Sequence, residues 1–330
     1  MGSWQQALHE FDVPARTRGV WRWLACVLVF SAASMAEQNK PDDLLPSAVP
    51  ERSLASTDIA KAFASGDLTF VQKKIKELAA REPRSYEVHY WTGYLALRQD
   101  KYYEAIRKLR QAEALDPNPA VLKLLALSYY VAHQNRLFLL KIREARQKQP
   151  ADFEPYYYLG RYYDSELSDL VEAAKCFQQA LARRPDHARS HYYLGHCWEV
   201  EQKPENAEAE YRRAAELVEQ NGTSDGLSYQ GLARLRLATN RPAEAMAFAR
   251  WAVVLAGRDS GAHKLLARAY SDLGSTAEAA AEWKISSELD PTDASALYRL
   301  YRCYLSLGEN EKARAALDDY KKVAALYGTN

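Results

Sequence analysis

The side chains best suited to chemistry gather between residues 187 and 197. His187 and His191 stand four residues apart, the spacing at which two imidazoles on one helix can share a metal ion. His196 and Cys197 follow on other faces of the same helix, and packing explains His191 without a metal. Past the first 36 residues three cysteines remain, Cys176, Cys197 and Cys303, an odd number that cannot complete a disulfide framework. A Cys176 to Cys197 bridge is open to an oxidising compartment, while burial as thiols in a helical core is the plainer reading. The chain has no glycine-rich phosphate loop and no nucleophile elbow, and none of its carboxylate pairs stands apart from ordinary surface charge. No catalytic residue, metal or cofactor is therefore expected, and the chain reads as a protein without enzymatic activity. Recognition by a surface is the chemistry that remains, and the elements that carry that surface decide where it lies.

Those elements repeat. Tyr156, Leu159, Gly160 and Tyr163 are followed by Ala173, Phe177, Ala180 and Pro185. His191, Leu194, Gly195 and Trp198 are followed in turn by Ala207, Tyr211 and Ala214. A marker after the Leu-like position falls at Ile59, Gly93, Ala126, Gly160, Gly195, Ala233, Ala267 and Tyr301, with gaps of 34, 33, 34, 35, 38, 34 and 34 residues. Apolar residues recur at spacings of three and four, and Gly66, Pro204, Pro242 and Gly308 interrupt them, which predicts paired helices. No such pair buries its apolar face alone, so stacking must create the core. Phe138 stands where a small residue is usual, which predicts a splayed pair over 119–152. Arg236 stands at an aromatic position, which predicts looser packing of its helix.

The pattern resembles the tetratricopeptide repeat over roughly residues 52 to 327. Further copies are His89, Thr92, Gly93, Ala105, Leu109, Ala112 and Pro117, and His263, Leu266, Ala267, Tyr270, Ala279, Trp283 and Pro291. The resemblance implies an all-α fold, a right-handed α-solenoid of about eight helix-turn-helix units near 52–85, 86–118, 119–152, 153–187, 188–225, 226–259, 260–293 and 294–327. It also implies a non-catalytic scaffold or adaptor that binds an extended peptide or protein partner on a concave face lined by the first helices. The family's inward positions fall here on Tyr90, Tyr94, Lys123, Tyr130, Tyr157, Arg161, Arg189, Tyr192, His196, Arg234, Lys264, Arg268, Tyr298 and Arg302. The set is aromatic toward the N-terminal half and cationic toward the C-terminal half. That suits a peptide with apolar anchors and an acidic stretch or a C-terminal carboxylate.

With 44 basic and 43 acidic residues the net charge is +1, which argues against nucleic acid or a membrane surface as the general partner. A solenoid needs no second core, so one elongated domain is expected from the 330 residues. Arg16, Arg18 and Arg22 precede the apolar stretch Leu24 to Phe30 and the small residues Ser31 to Ala36, which reads as a signal peptide over 1–36. Residues 37–51, with Pro41, Pro46 and Pro50, read as a linker. Export follows, with a bacterial periplasm as the expected compartment and no stable membrane span after cleavage; extracellular release and anchoring by an uncleaved N-terminal segment are the alternatives. Asn221, Gly222 and Thr223 form a glycosylation sequon in a eukaryotic secretory pathway and a turn otherwise. Leu317, Val323 and Leu326 are expected on an open face of the last helix. Self-association through that end gives the alternative role, a structural or oligomerising component of an envelope, pilus or secretion assembly.

Overall fold

The computed structural model describes residues 54–327. The expected signal peptide and linker lie outside the described residues. Sixteen α-helices follow one another, and among the described residues there is no strand. They are α1 Leu54–Ala64, α2 Leu68–Arg81, α3 Tyr86–Arg98, α4 Tyr102–Leu115, α5 Pro119–Val131, α6 Asn135–Lys148, α7 Glu154–Ser165 and α8 Leu170–Arg183. Then come α9 Ala188–Val200, α10 Pro204–Asn221, α11 Leu227–Ala238, α12 Pro242–Leu255, α13 Ser260–Asp272, α14 Thr276–Leu289, α15 Ala294–Ser306 and α16 Asn310–Tyr327. Among the described residues no helix is long and apolar enough to cross a membrane.

Local chemistry sets the helix ends. Asp67, Ser85, Asn118, Asp169, Asp259 and Asp293 each place a side-chain oxygen on a first-turn backbone amide, which satisfies donors that a helix start leaves unpaired. The turn inside every helix pair hinges on one residue in the left-handed region. In chain order these are Gly66, Asp100, His133, Ser168, Gln202, Asn240, Gly274 and Gly308. Only glycine takes that conformation without steric strain, so the other five carry a local cost that the packing of their pairs offsets.

Contacts divide the described residues into two compact units, 54–217 and 218–327, with the boundary inside α10. In the first unit the core is aromatic and leucine-rich, built on Trp91, Tyr90, Leu109, Leu124, Leu125, Phe138, Ile142 and Phe177. Burying each such side chain contributes roughly 1.5 to 3 kcal/mol. Gly160 lets α7 lie against α8: a methyl there would stand 2.6 Å from the Phe177 ring. The pair α5 and α6 is not splayed. Phe138 is 2% exposed and lies between the rings of Tyr130 and Tyr162, at 5.4 and 5.1 Å, so the large side chain fills the seam with the next pair.

In the second unit alanines dominate the fully buried positions, among them Ala233, Ala249, Ala252, Ala267, Ala279 and Ala296, with Trp283 and Leu300 as the large residues. Arg236 does not loosen its helix. It is 6% exposed, its Nε donates to Glu244 Oε2 at 3.1 Å, and its guanidinium lies over the Phe248 ring. The stem packs while the charge is paired, which keeps an arginine at an aromatic position. Within each unit the first helices of successive pairs approach one another, α3 with α5 and α7 with α9 in one, α11 with α13 in the other. Among the described residues no second helices approach comparably. The first helices therefore line the inner side of each unit.

Candidate functional site

The residues expected on the inner face part company by unit. In the first unit Tyr90, Tyr94, Lys123 and Tyr157 are buried, at 1, 7, 3 and 3% exposure, and are core rather than open surface. The reason is the close approach of successive first helices, which covers what the register alone leaves open. Tyr90 stacks on Tyr86 and meets Trp91 edge-on, and Tyr157 packs against Tyr193 and His187. Tyr130 hydrogen-bonds Ser165 Oγ at 2.6 Å, and the Arg161 guanidinium covers the Tyr193 ring at 4.2 Å while donating to the Tyr157 hydroxyl. His196 pairs with Asp164 at 3.3 Å. Arg189 and Tyr192 are half-buried, the latter between the rings of Tyr193 and Tyr211. The aromatic half of the inner face thus spends most of its groups on its own neighbours.

The histidine and cysteine cluster disperses too. His187 Nδ1 faces Ser190 Oγ at 2.8 Å, His191 lies between Glu210 and the Pro185 carbonyl, and His196 turns to Asp164. Burial, with Arg184 and Arg189 nearby, pushes the His187 pKa down to about 3. Burial likewise pushes the Cys197 thiol up to about 12. Cys176, Cys197 and Cys303 are free thiols, so the Cys176 to Cys197 bridge is not formed. Among the described residues no three metal-binding side chains converge.

In the second unit the cationic half comes together. Arg234 and Lys264 line one groove with Gln230, Leu265, Arg268, Trp283 and Arg299. Tyr298 and Arg302 line an adjoining one with Arg299 and Tyr320, and Ser295 belongs to both. None of the lining side chains is acidic. Arg268, Tyr298, Arg299 and Arg302 are exposed, whereas Lys264 is half-buried and bonds Asp293 at 2.6 Å. The Arg299 guanidinium rests 5.5 Å from the Trp283 ring, so a cation and an indole present a joint surface. The inward register does not include Arg299, Trp283 or Tyr320. Arg299 lies one residue past Tyr298, and the two rings come from second helices, a reach that only the packed pair reveals.

The tetratricopeptide repeat pattern matches residues 72–120, 162–222 and 264–326, together more than half of the chain. The chain belongs to the tetratricopeptide repeat family. A comparison with the curated proteins finds no match. Among solved structures it is similar to the APC/C hetero-tetramer Cut9-Hcn1, at 16% identity and a TM-score of 0.68 over 87% of this chain; it spans only 53% of that chain's length. It is similar to yeast Tom70, at 14% identity and 0.58 over 96% of this chain and 72% of that one. For PilF of Pseudomonas aeruginosa the values are 16% and 0.57, over 65% and 94%. At such identities the likeness concerns the fold. The tetratricopeptide repeat is a protein-interaction fold, and a protein scaffold is the coarse function that it carries.

One detail recurs between successive tetratricopeptide repeats. The fifth position of a repeat unit, on its first helix, reaches an aspartate 29 residues ahead, at the start of the next first helix. Asp152 takes the Lys123 ammonium on Oδ2 and the Glu154 amide on Oδ1. Asp259 takes the Gln230 side-chain amide on Oδ2 and the amides of Gly261 and Ala262 on Oδ1. Asp293 takes Lys264 on Oδ2 and the amides of Ser295 and Ala296 on Oδ1. One carboxylate therefore caps a helix and staples it to the preceding first helix. Burial alone would lower the Lys123 pKa, but Glu154 and Asp152 outweigh it and the net shift is upward.

Proposed function

We propose that the protein is a non-catalytic scaffold or adaptor that holds an extended, acidic segment of a protein partner along the second unit's inner face. The observation that carries this is the convergence of Arg234, Lys264, Arg268 and Arg299 around Trp283 in a groove without an acidic lining residue. Carboxylates of a bound segment take the arginine guanidinium groups as bidentate partners, and an apolar side chain takes the indole. The first unit's inner face, with Tyr90, Tyr94, Lys123 and Tyr157 buried, offers less open surface to a partner.

The N-terminal sequence supports export, and a bacterial periplasm is the compartment proposed; N-terminal sequencing of the purified protein checks cleavage before Glu37. Partner capture by cross-linking in the native organism, repeated with Arg234→Glu and Arg268→Glu together, tests the groove. Arg268 is exposed and Arg234 half-buried, so circular dichroism and a thermal melt of the variant check that it is folded while capture is lost. Undiminished capture by the folded variant sinks this reading.

A further inference from the structure

Three arginines stand in a row on the second unit's inner face. Arg234, Arg268 and Arg302 occupy the same place on α11, α13 and α15, each 34 residues after the last. Arg234 and Arg268 line one groove and Arg302 the adjoining one, with Arg299 and Ser295 common to both. The staples set the step between them. Gln230 meets Asp259 at the start of α13, and Lys264 meets Asp293 at the start of α15, at the same offset of 29 residues. Both aspartates also cap their helices, so their charge is already engaged. Asp272 stands 3.9 Å from Arg268, too far for a hydrogen bond. In the first unit the same place holds Arg161 and His196, which turn to Tyr157 and Asp164 instead.

The step has a characteristic length. Helices packed side by side lie about 8 to 10 Å apart, so successive arginines of the row recur at about that interval. Polyproline II advances about 9 Å per turn of three residues, and every third side chain returns to the same face. A β-strand covers a similar distance in three residues but then presents the opposite face. One arginine per step therefore matches polyproline II and mismatches a strand. The grooves also supply rings on which proline-rich segments pack, Trp283 in one and Tyr298 with Tyr320 in the other. We propose that the partner segment held here is a polyproline II stretch with an acidic residue at every third position, one carboxylate to each of Arg234, Arg268 and Arg302. This period rests on the reading of the groove as a site for an acidic segment, and adds to it the conformation of the segment and the spacing of its acids.

The test uses the full chain and two fluorescein-labelled peptides of identical composition. In one, Glu-Pro-Ala is repeated three times; in the other the three glutamates are adjacent, and prolines and alanines alternate after them. Fluorescence anisotropy is expected to show the periodic peptide binding about tenfold tighter. Glutamine in place of its middle glutamate is expected to weaken binding about threefold, and Arg268→Gln in the protein by the same factor. The two changes together are expected to cost no more than either alone, because the middle acid meets the middle arginine in either orientation of the peptide. Arg268 is exposed, and the change in the peptide leaves the protein untouched, so the comparison does not hinge on a folding defect. Equal or tighter binding of the adjacent-glutamate peptide, lost in the Arg234→Glu and Arg268→Glu double variant, overturns the period and leaves the acidic groove standing. Additive losses for Arg268 and the middle glutamate overturn the one-to-one row in the same way. Binding that the double variant leaves intact, or no binding of either peptide, overturns both the period and the groove.

Discussion

At the scale of single residues, one motif position does different work according to what faces it. His191 and His263 stand at the first aromatic position of their repeats, and each meets a glutamate 19 residues ahead, Glu210 and Glu282, at 2.6 Å. Each also bonds a carbonyl behind it, Pro185 or Gly257. At His263 an imidazole between two acceptors is best satisfied when both nitrogens carry protons. At His263 burial alone would lower the pKa, but Glu282 and the Gly257 carbonyl outweigh it and the net shift is upward from 6.5. His89 has Lys108 in the facing place, and there burial and the lysine lower it instead. A raised folded-state pKa contributes stability that is complete below the unfolded value and fades as pH rises through the folded one. Glu282→Gln is therefore expected to lower stability by about 1 to 2 kcal/mol near pH 5.5, with a smaller loss near pH 9. Denaturant melts of both proteins across that range read this directly, and a loss independent of pH contradicts the charged pair.

Whole helices obey the fit between small and large residues and the geometry of their turns. Gly160 is required by the Phe177 ring, so Gly160→Ala should push α7 from α8 and lower stability by about 1 to 3 kcal/mol. Turns offer the opposite lever. Gln202 is exposed and holds φ at +59°, a conformation that strains any residue with a Cβ. Gln202→Gly should raise stability by about 1 kcal/mol, measured as an upward shift of the denaturation midpoint without a change in slope. The glycine in Leu-Gly is legible in the sequence because it precedes a large residue on the following helix by a near-constant interval, 16 or 17 residues. The strained turns are not: Gln202 and His133 are ordinary residues, and their φ follows from the helices they join. Phe138 and Arg236 mislead for the same reason, since a side chain too large or too polar for a motif position can still be accommodated by a neighbouring pair.

For the molecule as a whole, the binding proposed for the second unit's cationic inner face should depend on salt. Raising ionic strength from 50 to 500 mM is expected to weaken capture of an acidic peptide by about tenfold or more, chiefly through slower association. Affinity that ignores salt would point to an apolar interface instead. By itself the sequence determined the helical period and with it the all-α tetratricopeptide repeat fold, because a pattern repeated at near-constant spacing allows only one way to bury every apolar face. It also marked the inward positions of each first helix. Only the tertiary structure decided which of those positions are open. Tyr90, Lys123 and Tyr157 share their places in the repeat with groups on the open groove, yet they are covered. Burial there depends on how closely the next first helix approaches and whether its cap turns back onto the position, and that distance is set by packing between repeats rather than by residue type.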